Sequence, residues 1–368
     1  MDMSSTTDAP AAPPATKRSR SMMTMDDICA RIRNVRVVSK LSEGGDEGKV
    51  AIATHSGSFH ADEALACAML KCLPQYKESI IVRTRDEAII SQCVGAVVDV
   101  GAVYDAEKRR FDHHQRSFAA SNTFPGRDIK LSSAGLIYKH FGTDILQAVF
   151  GPMNKDTCAV LLNKIYDKFV KEIDAIDNGV SLSKTETAYK IHTNLSARVG
   201  RLNPRWNATD AEKQDSARNG QFKRAMEIAF KDFFDIADSL KNSWLPARKI
   251  VVDALKVPVC KGIVRLERYC PWSSHVFDVE AEMDIEGQTV YVLYQDTHGN
   301  WRVQAVPPTE GSFDCRKKLP ESWRGVRGSD LDKIAGVEGC IFVHAAGFIG
   351  GAKTYDAALA LAKKSLAM

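Results

Sequence analysis

At 368 residues, 44% of them hydrophobic, the chain exceeds the size at which a single core usually divides, so two domains are expected. Fifty basic against 46 acidic residues leave a formal charge of +4, which excludes a polyanion-binding surface spread over the whole molecule; any basic patch must be local. Nine cysteines offer neither a C-x-x-C pair nor a short-chain disulfide spacing and read as reduced thiols of a soluble intracellular protein. No apolar run approaches the ~18 residues of a membrane span, and no secretory h-region is present.

The first 45 residues are read as a disordered leader, because MDMSSTTDAPAAPPATKRSRSMM is rich in Ser, Thr, Ala and Pro and buries little. Within it, Lys17-Arg18-Ser19-Arg20 is a candidate nuclear address. The arginines of residues 29–36 suit a mitochondrial transit peptide, against which Asp8, Asp26 and Asp27 count, and a solvated cytosolic tail is the third reading. From Lys49 the runs KVAIAT, ADEALACAMLKCL, SIIVRT and GAVVDVG alternate strand and helix patterns, which predicts an α/β domain built on a parallel sheet with crossovers.

A helix is predicted to start near Leu131-Ser132-Ser133, and a longer one to run over about 156–176, where Leu162, Tyr166, Phe169, Ile173 and Ile176 recur at helical spacing. The polar, basic stretch 203–225 reads as a crossover. It sets the catalytic domain at 46–205 and a second, mixed α+β domain at 206–368. There VYVLYQ-DTHGN-WRVQAV predicts a hairpin, and CIFVH, AAGFIGGAK and YDAALALAKKSLAM predict a strand, a glycine-bearing loop and a helix.

The candidate metal ligands lie after the first strands. His55, His60 and Asp62 stand within eight residues, directly beyond a strand, where ligands gather in open α/β sheets. Two imidazoles and a carboxylate suit manganese, zinc or magnesium, although Asp62 also reads as a helix cap and His60 as a surface histidine. Asp99 interrupts an apolar strand, where a carboxylate must be coordinated, paired or satisfied by backbone donors. Asp112-His113-His114 is a run whose side chains cannot all face one way along a strand, so a loop around an ion and a substrate fits it. Asp174 and Asp177 share a helix face near a C-terminus, where two acids oppose the helix dipole; a bound cation or simple solvation relieves that.

These segments resemble the motifs of the DHH phosphoesterase superfamily: a His/Asp cluster after the first strand, a lone Asp, the Asp-His-His triplet and an Asp after a helix. The runs THSGSFHADEALACAML, VVDVG, FDHHQRSF, KLSSAGLIY, EIDAIDNGV, LSARVGRLNP, SWLPAR and CIFVHAAGFIGG are similar to those of the Myg family of DHH-type RNA exonucleases over nearly the whole chain from Lys49. His60 stands where the wider superfamily has Asp.

The resemblance implies two divalent cations, Mn2+ or Mg2+, with Asp99 bridging, His55 and His60 on one ion and Asp62, His113 and Asp177 on the other. Asp99, His113 and His114 are then the catalytic candidates, His114 as a donor to a phosphate oxygen, with Asp112 and Asp174 as outer-shell or alternative ligands. Arg198, Arg201 and Arg205 are candidate phosphate contacts and Trp206 a candidate for stacking on a base, with packing of one domain on the other as the alternative for Trp206. The strand end His344 and the glycines Gly347, Gly350 and Gly351 are candidates to present backbone N–H groups to the substrate. The implied activity is 3′–5′ hydrolysis of single-stranded RNA or oligonucleotides. Two further readings are a small-molecule phosphoesterase or pyrophosphatase and a non-catalytic nucleic-acid-binding regulator.

Overall fold

The computed structural model describes residues 23–41, 50–119 and 121–368. Two compact units divide between Phe234 and Asp235. In the first, helix α1 (Met25–Asn34) precedes strand β1 (Val37–Val38). Thr24 caps α1 by accepting from the Asp27 N–H, and Ile28, Cys29 and Ile32 form its buried face. The leader expected up to residue 45 is therefore corrected over 25–38. A short amphipathic helix lies there, its apolar spacing diluted by the composition before it. Lys17–Arg20 lies outside the described residues.

Strands β2 (Ala51–Thr54), β3 (Ile80–Arg83), β4 (Ala96–Val98), β5 (Tyr104–Asp105) and β6 (Arg110–Phe111) complete a sheet of order β1-β3-β2-β4-β6-β5. Every pairing is parallel except β5 with β6, as the alternating runs predict. Strand β2 is buried at all four positions, the mark of a central parallel strand covered on both faces. Helix α2 (Ala61–Lys71) is buried at every residue, which its run of Ala, Leu, Cys and Met permits. Helix α3 (Glu87–Ile90) makes the next crossover.

Helix α4 (Ser133–Phe150) packs against α2, and α5 (Lys155–Ile165) passes through a π-helical turn (Tyr166–Val170) into α6 (Lys171–Asp177). The helix predicted over 156–176 is thus continuous but locally widened, and such turns recur at functional sites. Helices α7 (Leu195–Gly200) and α8 (Asp210–Lys213) lead to α9 (Asp215–Ser239). Phe222, Ala225, Met226, Ala229, Phe230 and Phe233 of α9 are buried. Phe222 lies edge-on to Phe59, and Phe233 to Tyr138. The stretch from 206 to 234 consequently packs within the first unit. The boundary expected at 205/206 falls inside it, because polar residues at the start of α9 mask a helical apolar face.

The second unit contains α10 (Leu245–Lys256), β7 (Ile263–Arg265), α11 (Ser273–Glu282), β8 (Tyr291–Gln295), β9 (Trp301–Ala305), α12 (Gly328–Ala335), β10 (Cys340–Val343), β11 (Ile349–Ala352) and α13 (Tyr355–Ala367). Its sheet order is β10-β11-β9-β8-β7, antiparallel except for β7 with β8. Along β8, Tyr291 and Leu293 enter one buried cluster and Val292 and Tyr294 the other, so the two-residue period feeds a core on each face.

The predicted hairpin is present. Asp296 accepts from the N–H groups of His298 and Asn300, each at 2.9 Å, and Gly299 takes φ +83°. The glycine loop is shorter than its sequence suggests, since Gly350 and Gly351 lie in β11 rather than in a loop. A Cβ on Gly351 would sit 2.5 Å from Arg302 Nη1 and 2.8 Å from the Phe342 ring, so Gly351 serves close packing of an arginine and an aromatic ring.

Candidate metal centre

Three parallel strands end at one edge of the first sheet, and the chain leaving each carries a metal-type side chain. His55 follows β2, Asp99 follows β4, and Asp112, His113 and His114 follow β6. Helix α2 brings Asp62 and Glu63 in its first turn, and α6 ends at Asp177. Asp99 takes φ +58°, a left-handed conformation that costs a non-glycine residue of order 1–3 kcal/mol and collects at functional sites.

His55 Nε2 lies 3.1 Å from Glu63 Oε1 and 3.4 Å from Asp99 Oδ2. His113 Nε2 lies 3.2 Å from both Asp99 Oδ1 and Asp177 Oδ2. Three groups gather their ligand atoms within 4.8 Å: His55, His60, Glu63 and Asp99; Asp99, His113 and His114; and Asp62, His113 and Asp177. Asp99 joins the first two and His113 the last two. The six expected ligands therefore all fall within these groups, with Glu63 and His114 added to them.

Their surroundings fix which atoms face inward. His55 Nδ1 lies 3.1 Å from the Ser56 carbonyl, leaving Nε2 for the cluster, the arrangement that orients ligating imidazoles. Ser133, the first residue of α4, donates to Asp62 Oδ2 at 2.7 Å. Asp112 accepts from the N–H of Ala102 at 2.7 Å and of His114 at 3.0 Å, and its Oδ1 lies 2.8 Å from His114 Nδ1. Asp112 thus orients His114, whose side chain is 63% exposed.

Asp174 joins none of the three groups. It accepts from Ser132 N–H (3.0 Å), Ser132 Oγ (2.7 Å), Gly135 N–H (3.1 Å) and Tyr166 OH (2.9 Å), so it anchors the start of α4. Arg198 is paired with Asp232, and Arg201 donates to the His192 carbonyl at 2.8 Å. His344, Gly347, Gly350 and Gly351 belong to the second unit. There the His344 N–H donates to the Ile349 carbonyl, and Gly347 takes φ +74°.

The electrostatics shows a cluster that cannot ionise freely. Burial pushes the Glu63 carboxyl up to about 8 against its bond to His55, and burial with the charge of Asp62 pushes Asp177 up to about 7. Burial and the Asp99 charge likewise raise Asp62. Against its own burial, Asp99 is held well below the usual carboxylate range by His113 and His55. Burial opposes protonation of His55, yet Asp99 and Glu63 push it up to about 10. The bond to Asp112 pushes His114 up to about 9. Clustered acids with raised pKa values are what a divalent cation relieves.

The donor set suits a divalent cation. Asp62 Oδ1, Asp99 Oδ1 and His113 Nε2 are buried without a hydrogen-bond partner, although Asp99 Oδ1 and His113 Nε2 are only 3.2 Å apart. Buried polar atoms left so cost free energy unless something satisfies them. Imidazole nitrogens and carboxylate oxygens converging on one place suit Mn2+, Zn2+ or Mg2+.

Glu63, Ser133 and Asn203 are the residues that sequence reasoning passes over. Glu63 accepts from the His60 N–H at 2.8 Å, so the spacing of three that betrays it is also that of an ordinary helix-capping acid. Asn203 makes two bonds to the Phe59 backbone, at 3.0 and 2.8 Å, clamping the loop between His55 and His60.

Comparison with known proteins agrees with the motifs. A family model described as MYG1_exonuc, uncharacterised protein family (UPF0160), matches residues 51–366. The chain is 48% identical over 324 residues to the MYG1 protein of Dictyostelium discoideum, covering 86% of this chain and 96% of that one. It is 46% identical over 327 residues to the MYG1 exonuclease of Bos taurus, covering 86% and 84%, and 46% identical over 327 residues to that of Homo sapiens, covering 86% and 85%. The chain belongs to the MYG1 family.

Proposed function

We propose that this chain is a divalent-metal-dependent phosphodiesterase of the DHH type, acting as a 3′–5′ exonuclease on single-stranded RNA. The observation that carries the reading is Asp99, a buried, strained carboxylate held between His55 and His113 with one oxygen unpartnered. The mammalian relatives are named exonucleases, which supports hydrolysis from a strand end. The RNA preference and polarity rest on the family resemblance.

His55, His60, Glu63 and Asp99 would hold one ion, and Asp62, His113 and Asp177 a second beside it, Mn2+ or Mg2+. Paired divalent ions supply charge neutralisation at a phosphodiester and a hydroxide available near neutral pH. The chain's own residues orient and exclude. Ser133 fixes the Asp62 carboxylate, and the Ser56 carbonyl sets the face that His55 presents. His114, exposed at the rim of the cluster, is positioned by Asp112 to donate to a phosphate oxygen.

Asp99→Asn keeps the shape and removes the charge. It is expected to lower manganese-stimulated cleavage of a labelled single-stranded RNA by at least 1,000-fold, about 4 kcal/mol, with circular dichroism unchanged. On the same ladder the natural chain should release mononucleotides from one end, and internal fragments or persistent turnover by Asp99→Asn would defeat the proposal.

A further inference from the structure

Between Asp177 and Asn203 the first unit carries a segment that begins and ends at the metal centre. At its start Asp177 faces His113 at 3.2 Å, and Asn178 Nδ2 donates to the Lys130 carbonyl at 2.9 Å. At its end Asn203 is bonded twice to the backbone of Phe59, on the loop that carries His55 and His60. Between these anchors residues 180–193 form neither helix nor strand. Long irregular stretches in compact domains are commonly binding elements. Arg201 pins the return limb through the His192 carbonyl at 2.8 Å.

The surface of this strap is unusual for its composition. Leu182 is 79% exposed, Tyr189 75% and, just past the second anchor, Trp206 91%. Single exposed apolar residues need no explanation, but here three large ones accompany a concentration of positive charge. Residues 180–206 contain Lys184, Lys190, Arg198, Arg201 and Arg205 against Glu186 alone, an excess of four that equals the formal charge of the whole chain. Arg198 is neutralised by Asp232; Lys184, Lys190 and Arg205 are exposed. Protein-binding patches are depleted of lysine, whereas rings interleaved with cations suit a single strand, whose phosphates meet the charges and whose bases stack on the rings.

We infer that this strap, with Tyr189 and Trp206 as stacking rings and Lys184, Lys190 and Arg205 as phosphate contacts, is the surface that receives a single-stranded nucleic acid beyond the nucleotide undergoing cleavage. The inference rests on the phosphodiesterase reading, and it assigns the part of the substrate that the metal ligands do not touch. The rings then set affinity and length dependence, while the chemistry stays with Asp99 and its neighbours.

Two variants, Tyr189→Ala/Trp206→Ala and Lys184→Ala/Lys190→Ala, test it in the full-length chain with melting curves as fold controls. Affinity for a fluorescent 20-nucleotide single strand is measured in the Asp99→Asn background with Mg2+, and turnover of the strand and of a dinucleotide is compared in the active background. Loss of the two rings should weaken binding at least tenfold and lower the ratio of kcat/KM for the 20-mer to that for the dinucleotide by a similar factor. Loss of the two lysines should flatten the dependence of log affinity on log salt by about 1.4. Unchanged affinity in both variants overturns the inference, as does a change confined to sedimentation, which would make the strap a protein contact. If the natural chain cleaves neither substrate yet loses affinity with the rings, the hydrolase reading falls and the strap stands as a binding surface.

Discussion

Asp62 is the residue whose geometry depends most visibly on a neighbour outside the cluster. It is 1% exposed, one oxygen accepts from Ser133 Oγ at 2.7 Å, and the other has no partner. That bond restrains the carboxylate that Asp62 brings to the group with His113 and Asp177. Ser133→Ala should release that restraint and weaken Mn2+ binding, read by isothermal titration, about 10–100-fold, while Ser133→Thr should retain most of it. Equal affinities for the serine and alanine proteins would show that Asp62 is oriented by packing alone. Residue-scale legibility was high where chemistry and context disagreed, as with Asp99 in an apolar strand. It was low at Glu63 and Ser133, because a first-turn glutamate and a helix-start serine are what any helix N-terminus displays.

At the scale of elements, the site depends on how the start of α4 docks against α6. Asp174 receives Ser132 and Gly135 there, and Tyr166, in the π-helical turn, closes the set from the same helical run. This resolves the pair of acids on one helix face: Asp174 is spent on holding α4, and Asp177 alone reaches the cluster. The sequence spacing that pairs them cannot separate these roles, since both require only proximity. Gly135 is part of the joint, because a Cβ there would lie 2.4 Å from both Asp174 oxygens. Gly135→Ala should therefore destabilise the fold by about 1–3 kcal/mol in denaturant unfolding, and it should also weaken Mn2+ binding through Ser133. A substitution without effect on the unfolding midpoint would mean that α4 is not seated by this contact. Strands β2, β3 and β4 and the hairpin Tyr291–Ala305 were readable because period and turn chemistry agree there, whereas β1 and β5, two residues each, are too short to show a period. Helix α1 and the early part of α9 were not, since their buried faces are few apolar residues within polar surroundings.

For the whole molecule, the metal centre ties stability to pH, and the sign follows from its groups. Without metal, the carboxyls of Glu63 and Asp177 titrate at about 8 and about 7, above their unfolded values. The folded state therefore binds more protons between about pH 4 and 8, and the stability these groups contribute falls as pH rises through that window. His55, raised to about 10, and His114, raised to about 9, contribute stability that is complete below pH 6.5 and is lost as pH rises through those values. The two sets act in the same direction, so the metal-free chain should melt at progressively lower temperature from pH 6 to pH 9. A divalent cation needs the same groups deprotonated, so its binding releases protons and strengthens over the same range. The rise in melting temperature produced by 1 mM Mn2+ should consequently grow from pH 6 to pH 8. A concentration one hundred times the dissociation constant corresponds to about 2.7 kcal/mol. Calorimetry in buffers of different ionisation enthalpy should register the released protons directly, and Asp99→Asn should flatten the metal-dependent rise. A rise of equal size at pH 6 and pH 8, with no protons released, would mean that the cation binds somewhere other than the cluster around Asp99.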